Sequence, residues 1–280
     1  MATYTPDERS KGVRLVKRSM HSRSRPSKRY TSCKELTYLC RIKAVHDADL
    51  IHTIVNTTPI LHVSFNAPPR KDGTPQFPTI LPMLGAIGTY PPHNAEAHIY
   101  LHGSSVARLF RLTASGEAAG IPLCVCATLL DGYVLALSPF HNSCNYRSAV
   151  CFGHGTLVTD AEEVAFALQL ITNNSIPERW ENSRQPPTKA ELTATGVLKV
   201  RIETASTKTR AGGPSDDRAD LQNEEVTGST WTGVVPAYMM LGEPIAAESN
   251  RVKRAPEYLS DWVADVNSLN EQKAVDAVEG

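Results

Sequence analysis

The chain has 280 residues, of which 41% are hydrophobic and 21% charged, and its 29 Lys and Arg balance its 29 Asp and Glu. This composition is typical of a folded globular protein with a sizeable core and argues against global disorder. No run of about 18 apolar residues occurs, so we expect no membrane span. A chain without net charge also lacks the electrostatic basis of general nucleic-acid binding, which we do not expect.

The charge is unevenly distributed along the chain. Residues 1–43 carry twelve Lys and Arg against three Asp and Glu, a net +9, and the remainder carries −9. We interpret 1–43 as a basic N-terminal extension that is poorly ordered, since chain termini are often untethered. A transit peptide and a basic arm for phosphate or an acidic partner are the alternatives. We therefore expect a cytoplasmic protein and leave organellar import through the basic N-terminus open.

The six cysteines do not form a pattern typical of a metal site or a disulfide framework. Cys124 and Cys126 lie two residues apart in an apolar run, which places them on one face of a strand. A zinc site would need CxxC-type pairs converging with histidine. We expect free thiols in a reducing compartment and no metal.

The segment 44–260 has the pattern of one domain, followed by a C-terminal helix or tail at 261–280. Apolar residues spaced for one helix face predict a helix over Asp47–Asn56, with Asp47 as its N-cap and Pro59 beyond its end. Alternation then predicts a strand over Ile60–Phe65, and a loop rich in proline follows.

The next segments predict further strands and one helix. Strands are predicted at Thr79–Gly88 and Ala97–Leu101, then a helix that Ser104 or Ser105 caps. Ile121–Ser138 is interpreted as a hairpin that turns at Asp131-Gly132.

The second half of the chain is also predicted to consist mainly of strands, with one helix and two loops. A long strand is predicted at Asn145–Val158, and a capping-box pattern at Thr159–Glu162 opens a helix that ends near Asn173 or Asn174. The remaining predictions are loops at 176–188 and 211–228 and strands at Val197–Ala205 and Trp231–Met239. Six or seven closely spaced strands with two or three inserted helices favour a mainly β fold, an antiparallel barrel with helical additions.

No classical catalytic signature occurs in the sequence: there is no GxSxG, HExxH, Walker loop or strand-GxGxxG-helix pattern. Three of the nine histidines, His62, His98 and His102, lie in predicted strands or at strand ends. His98 and His102 share a strand face, but no third ligand for a metal is identifiable.

Four segments carry features suited to a ligand. Pro82-Met83-Leu84 places a proline inside a strand, which indicates an edge or bulge with free backbone groups for a flat heterocycle, or simply an edge device. His102 to Arg108 leads from a strand into a helix N-terminus, which is either a phosphate cradle or an ordinary serine cap.

The other two segments are cationic strand ends. Tyr146-Arg147-Ser148 offers a π face, a fork of donors and a hydroxyl at the start of a strand. Lys208 and Arg210 share a strand face and precede two glycines that permit close approach of a ligand. A solvated basic strand end is the alternative interpretation of each.

Five segments in order resemble the flavin-nucleotide-binding, pyridoxamine-5′-phosphate-oxidase-like split-barrel family, in particular its 5-nitroimidazole-reductase-type branch. The resemblance extends from about His46 to Trp231. The segments are IHTIVNTTPILHVSF, TILPMLG, IYLHGSSVARL, NYRSAVCFGHGTLVTDAEE and IPERWENSRQPPTKAELTATGVLKVRIETASTKTRAGGP.

The resemblance implies a homodimeric split β-barrel with FMN bound across the dimer interface. Carried over by position, the implied flavin-binding residues are Pro82, Met83, Leu84, His102, Gly103, Ser104, Ser105, Arg108, Tyr146, Arg147, Ser148, Lys208 and Arg210. His102 is the candidate proton donor near the substrate. The Ser-Arg-Lys phosphate turn and the Arg-rich C-terminal substrate motif of true pyridoxamine-phosphate oxidases are missing, which argues against pyridoxamine phosphate as substrate.

The leading hypothesis is therefore an FMN-dependent oxidoreductase acting on a small organic molecule. The alternatives are a non-catalytic flavin-nucleotide carrier or sensor, a haem-binding split barrel with His62, His98 or His102 as axial ligand, and a dimeric scaffold without cofactor. The fold alone does not decide among them, because this barrel hosts several functions.

Overall fold

The computed structural model of the chain describes residues 47–69, 71–91, 96–115 and 120–280. The predicted basic extension, 1–43, lies outside these residues. Within them there are eight strands: β1 Leu61–Phe65, β2 Thr79–Met83, β3 Gly85–Gly88, β4 His98–Ser104, β5 Ile121–Leu135, β6 Ser143–Leu157, β7 Thr195–Arg210 and β8 Gly233–Pro236. The helices are α1 Ala48–Thr57, α2 Arg108–Ser115, α3 Ala161–Ser175, α4 Lys189–Ala194, α5 Arg218–Leu221, α6 Glu224–Ser229 and α7 Glu257–Glu279.

The strands form one antiparallel sheet whose order is β2-β1-β5-β6-β7-β4-β3, with β8 paired to β5. β2 and β3 are neighbours in the chain, separated by Leu84 alone, and yet they lie at opposite ends of this order. The two ends of the sheet must therefore approach each other, as in a barrel. A bond from the His102 amide of β4 to the Leu84 carbonyl, 3.5 Å long, crosses this junction. The predicted mainly β, split-barrel fold is confirmed.

The core forms because alternate residues of the long strands point inward. The main cluster lies inside the curved sheet and includes Leu61, Val63, Leu101, Val125 and Leu198, all fully buried. α1 begins at its predicted cap, since the Asp47 carboxylate accepts hydrogen bonds from the amides of Asp49 and Leu50. Helix α1 adds Ile54 and Val55 to this cluster. Burial of this apolar face is therefore the main free-energy gain that holds α1 against the sheet.

A second cluster lies on the other face of the sheet, under α3. It contains Tyr100, Val197 and Ile171, and a buried polar network fastens the helix there. Glu163 of α3 accepts a hydrogen bond from the Tyr100 hydroxyl (2.8 Å) and pairs with the Lys199 ammonium (2.9 Å). Burial, followed by the Glu163 carboxylate, raises the pKa of Tyr100 well above its usual range.

The predicted hairpin at Ile121–Ser138 is wrong. β5 runs through Asp131-Gly132 as one strand of 15 residues, and the pairing with β6 only shifts by one residue there. The chain does not turn because the Asp131 side chain is buried and receives two hydrogen bonds from Arg147 on β6, at 2.8 and 2.9 Å. An Asp-Gly pair that is typical of a turn here forms a β-bulge.

Several other boundaries differ from prediction. The strand predicted at Thr79–Gly88 divides at Leu84, and that predicted at Val197–Ala205 extends over Thr195–Arg210. The cap of α3 is Asp160, which accepts from the Glu163 amide, and not Thr159. Helices α5 and α6 lie largely in the segment predicted as a loop at 211–228, α4 lies in a stretch for which no element was predicted, and the last strand is limited to Gly233–Pro236.

None of the described helices is long and apolar enough to cross a membrane. The four described cysteines, Cys124, Cys126, Cys144 and Cys151, are free thiols. Nothing in the structure tests the proposed division into 1–43, 44–260 and 261–280, which stays a prediction.

Candidate functional site

The first two predicted ligand segments meet in the structure. The end of β2, the break at Leu84 and the end of β4 form one junction, since Leu84 accepts the His102 amide. A side chain built on Gly103 would lie 3.7 Å from the Met83 methyl and 2.9 Å from the Phe110 ring. The segments Pro82–Leu84 and His102–Arg108 are thus brought together, as the family resemblance implies.

The β2 end of this junction is an edge of the sheet. β2 pairs with β1 in the register His62 to Pro82, and its other side has no strand partner among the described residues. The predicted edge position of Pro82 is therefore confirmed, and it is exposed, as is Leu84. Backbone groups on an unpaired strand edge can bond the polar rim of a heterocycle, and here these are the groups other than the Leu84 carbonyl, which already accepts from His102.

The turn after β4 differs from a simple serine cap. Ser105 donates from its amide to the Ala194 carbonyl and from its hydroxyl to the Thr193 carbonyl, both at 2.9 Å. The side chain of Ser105 therefore fastens the turn to α4 and does not cap α2, which begins only at Arg108. Ser104 is exposed at the end of β4.

Arg108 supplies the cation of this turn. Its side chain is exposed, and its Nη2 donates to the Gln76 side chain at 2.6 Å. Gln76 lies in the proline-rich loop before β2, for which the sequence predicts no role beyond connecting two strands. The bond holds the guanidinium of Arg108 near the turn, where an anion would meet it.

His102 lies on the same face of β4 as Tyr100 and His98, as predicted from their spacing. It is half-buried, and burial lowers its pKa, so the neutral imidazole is favoured. His98 is nearly buried, its Nδ1 lies 3.1 Å from the Glu96 carbonyl, and burial lowers its pKa as well. Neither histidine lies in a cluster of described residues that could hold a metal ion. In the described part of the chain, the one cluster of side chains close enough to hold a metal ion lies elsewhere and is partly exposed: His141, Asp217 and Asp220.

The third and fourth predicted segments also meet, on paired ends of β6 and β7. Tyr146 lies opposite Arg210 and Ser148 opposite Lys208. The Lys208 ammonium lies 5.4 Å from the centre of the Tyr146 ring, within the range of a cation–π contact, and the Ser148 hydroxyl donates to the Lys208 carbonyl at 2.9 Å.

Arg147 and Arg210 have structural partners that the sequence did not indicate. Strand alternation puts Arg147 on the opposite face from Tyr146 and Ser148, where it pairs with buried Asp131. Arg210 donates to the Asn145 side chain and to the Gly213 carbonyl, the latter at 2.9 Å. Asn145 in turn donates to the Ala277 carbonyl of α7 at 2.9 Å, so Arg210 fastens the C-terminal helix.

The two halves of the predicted site lie on different strands of the sheet. Along β7 they are far apart, since Gly103 lies opposite Gly196 and Ser148 opposite Lys208, twelve residues further on. Across the sheet they are closer, because Pro82 pairs with His62, His62 with Cys126, and Cys126 with Val150, two residues from Ser148. Three strand spacings of about 4.8 Å separate β2 from β6 along this route.

The structure adds a feature that the sequence did not reveal. A groove of about 680 Å³ lies beside the turn after β4 and is lined by Ser105, Val106, Lys189, Ala190, Thr193 and Ala194. Helix α4, which forms one wall, was missed because it is short. Its capping box of Thr188 and Glu191, reciprocal in the structure, was the available signal.

Comparison with solved structures finds several similar folds, among them two that cover about four fifths of this chain. The flavocytochrome Anf3 from Azotobacter vinelandii is 28% identical, covers 81% of this chain and 96% of its own, and has a TM-score of 0.63. The FAD and heme binding protein from Mycobacterium smegmatis is 27% identical, covers 79% and 97%, and has the same TM-score, 0.63.

A third structure, described as a putative 5-nitroimidazole antibiotic resistance protein from Bacteroides thetaiotaomicron, is 18% identical over 60% of this chain and 87% of its own, with a TM-score of 0.44. A comparison with curated proteins finds no match. The family model described as pyridoxamine 5′-phosphate oxidase matches residues 47–209, more than half of the chain. The chain therefore belongs to the pyridoxamine 5′-phosphate oxidase family.

Proposed function

We propose that the chain binds a flavin nucleotide and acts as an oxidoreductase on a small organic substrate. The observation that carries the proposal is the junction at Leu84, where an open strand edge and the turn after β4 lie side by side. A flavin needs both features, a row of backbone groups for the polar rim of its ring and a cationic turn for its phosphate.

The residues at the junction fit these two needs. The free edge of β2 at Pro82–Leu84 would contact the ring, with Met83 buried behind it. Arg108 would pair with the phosphate, which carries about two negative charges. Ser104 at the exposed end of β4 would add a hydroxyl. The sequence resemblance favours FMN, whereas one of the two aligned solved structures is described as binding FAD, so the proposal covers both.

The chemistry would be that of the flavin when bound, which exchanges hydride with a donor and a substrate. The protein would orient the ring and exclude water. His102 is the residue proposed to hold a proton near the substrate, because it is half-buried at the junction and its neutral imidazole carries one N–H. Full turnover by a His102→Ala variant would remove this role.

We also propose that the protein is a homodimer in which each ligand contacts both chains. The family resemblance supports this arrangement, because it implies FMN bound across a dimer interface, where the partner's Tyr146, Ser148 and Lys208 would complete the site. Light scattering coupled to size-exclusion chromatography should give twice the mass of one chain. A monomer that binds flavin fully would contradict the arrangement.

The first experiment is the absorption spectrum of the protein as isolated, followed by mass spectrometry of what denaturation releases. The proposal predicts a flavin spectrum that NADH or NADPH bleaches and an added substrate restores. A flavin that neither donor reduces would indicate a carrier or sensor. A colourless protein that gains no thermal stability from FMN or FAD would contradict flavin binding, because a ligand specific for the folded state must stabilise it.

Haem binding is a second candidate, alone or beside a flavin. The observation that favours it is that two solved structures covering about four fifths of the chain are described as a flavocytochrome and as a FAD and heme binding protein. Of the predicted axial ligands, His62 is exposed on β1 and His102 is half-buried, whereas His98 is packed under α3. A Soret band that His62→Ala or His102→Ala abolishes would support haem ligation at that residue.

A further inference from the structure

Three side chains with metal-binding atoms meet beside the turn between β5 and β6. His141 lies in that turn, Asp217 directly precedes the short helix α5, and Asp220 lies within it. One ligand atom from each residue, an imidazole nitrogen and two carboxylate oxygens, lies within 4.8 Å of the others. None of the three belongs to the residues proposed to bind a flavin, so the cluster calls for an explanation of its own.

Hydrogen bonds outside the cluster hold its two segments together. The Asp216 carboxylate accepts from the Leu137 amide at 2.8 Å, which fastens the segment before α5 to the turn. Within the turn, the His141 amide donates to the Ser138 carbonyl at 3.0 Å. The three side chains are therefore brought together by contacts that do not involve their own imidazole and carboxylate groups.

The imidazole of His141 lacks the hydrogen bonds that a partly buried histidine normally makes. Its Nδ1 is the one buried side-chain nitrogen or oxygen without a hydrogen-bond partner in the described part of the chain. Its Nε2 lies 3.9 Å from Oδ2 of Asp217, which is beyond the range of a hydrogen bond. Buried polar atoms in folded proteins nearly always have a partner, so this ring indicates a ligand that the chain itself does not supply.

The two carboxylates lack compensation as well. Asp217 occupies the N-cap position of α5, yet its side chain makes no capping hydrogen bond. Among the described residues, no lysine or arginine forms an ion pair with Asp217 or Asp220. Two carboxylates beside a neutral imidazole carry two negative charges, which one divalent cation would neutralise.

We propose that His141, Asp217 and Asp220 bind a divalent transition-metal ion, with Zn²⁺ as its representative. One imidazole nitrogen and two carboxylate oxygens form a donor set that Zn²⁺ accepts, with water in the remaining position. Mg²⁺ and Ca²⁺ prefer oxygen ligands alone, so the imidazole selects against them. The ion ties the segment after β7 to the turn between β5 and β6.

The geometry requires only a small closure around the ion. Metal–ligand distances of about 2.0–2.2 Å place neighbouring ligand atoms roughly 3–3.6 Å apart, somewhat closer than the present limit of 4.8 Å. The Asp217 side chain is 77% exposed and has room to move toward the imidazole. The sequence did not indicate this site, because its ligands come from segments on either side of β6 and β7.

The test is a calorimetric titration of ZnCl₂ into the full chain, from which EDTA has first removed any metal. We expect Zn²⁺ binding that His141→Ala weakens about a hundredfold or more and Asp217→Asn about tenfold or more. The matched controls are His52→Ala on α1 and Asp265→Asn on α7, which should bind Zn²⁺ as wild type does. Asparagine is also a favourable N-cap residue, so the Asp217→Asn variant keeps the fold and the test.

Thermal unfolding supplies a second measurement. Zn²⁺ should raise the melting temperature of wild type and of both controls, because an ion specific for the folded chain stabilises it, and should raise that of the two ligand variants much less. CaCl₂ at the same concentration should have little effect. Absence of Zn²⁺ binding, Zn²⁺ affinity that His141→Ala and Asp217→Asn leave unchanged, or Ca²⁺ bound as tightly as Zn²⁺ would overturn the inference. Flavin binding is measured separately and does not depend on this outcome.

Discussion

Arg147, which the family resemblance implies as a flavin contact, donates two hydrogen bonds to a carboxylate that is almost fully buried. The Asp131 side chain is only 5% exposed, and the Arg147 side chain is 25% exposed. Removal of one partner of such a pair leaves a buried charge without compensation. The Tyr-Arg-Ser motif singled out Arg147 as a candidate. Its actual contact with Asp131 follows from strand alternation on β6 and from the bulge in β5.

We predict that Arg147→Met lowers the free energy of unfolding by about 3 kcal/mol, because the buried Asp131 side chain loses its partner. Urea unfolding followed by circular dichroism measures this change. Flavin affinity should fall much less than stability. A variant as stable as wild type that has lost flavin binding would show that Arg147 serves the ligand.

The half-buried His102 and the nearly buried His98 make stability depend on pH. Burial lowers the pKa of both below the ordinary value of about 6.5 that the unfolded chain retains. As the pH falls below that value, the unfolded state binds protons that the folded state resists, so stability is lost in acid.

We therefore predict a lower free energy of unfolding at about pH 5 than at about pH 7, with a smaller difference in His102→Gln. Urea unfolding at the two pH values measures both. An equal pH dependence in wild type and variant would show that His102 remains as solvated in the folded chain as in the unfolded one.

At the scale of elements, glycines in β6 allow the strands to approach closely. A side chain built on Gly153 would lie 1.9 Å from the Arg201 carbonyl oxygen, at the point where the pairing of β6 and β7 shifts. This oxygen belongs to the backbone of β7, so it cannot move aside as the end of a flexible side chain could. The β-bulge therefore requires glycine at position 153, and the hydrophobic periodicity of the sequence does not indicate a bulge there.

We predict that Gly153→Ala destabilises the fold by about 3 kcal/mol or more, since overpacking against backbone has no cheap relief. Gly228→Ala, in helix α6 with open space around it, is the matched control and should be neutral or slightly stabilising. Thermal unfolding compares the two. Equal melting temperatures would contradict the assigned bulge geometry.

The buried network of Glu163 makes a separate prediction for helix α3. Tyr100→Phe removes one hydrogen bond to this carboxylate and should cost about 1–2 kcal/mol of unfolding free energy. Tyr133→Phe, at a half-exposed position on β5, should cost little. A Tyr100→Phe variant as stable as Tyr133→Phe would show that Lys199 alone satisfies Glu163.

Elements with strong local signals were predictable, and those set by distant partners were not. Asp47 and the apolar spacing after it predicted α1 within one residue. Asp131-Gly132 predicted a turn because nothing local indicates that Arg147, 16 residues away, bonds the aspartate. Helix α4 is only six residues long, too short for apolar periodicity to mark it.

At the scale of the whole molecule, the site depends on closure of the sheet. β2 and β3 are adjacent in sequence and lie at opposite ends of the strand order, so the Leu84 junction forms only when the barrel does. Local pattern predicted the strands and marked Pro82 as an edge position. That Pro82–Leu84 and His102–Arg108 would meet followed from family resemblance alone, because sheet closure is a property of all the pairings together.

Some residues at the candidate site could not be predicted from the sequence because their neighbours are distant in the chain. Gln76 reaches Arg108 from a loop 32 residues away, and Lys189 of α4 lines the groove beside the turn. Neither carries a motif of its own. Arg210, which the resemblance implies as a flavin contact, also holds α7 through Asn145.

The central claim is that a flavin nucleotide binds at the Leu84 junction with its phosphate near Arg108. Titration of the flavin-free chain with FMN and with FAD, followed by flavin fluorescence, tests it most directly. We predict saturable binding of at least one of the two flavins, weakened about tenfold or more by Arg108→Glu. Absence of saturable binding, or an Arg108→Glu variant that binds as tightly as wild type, would contradict the account.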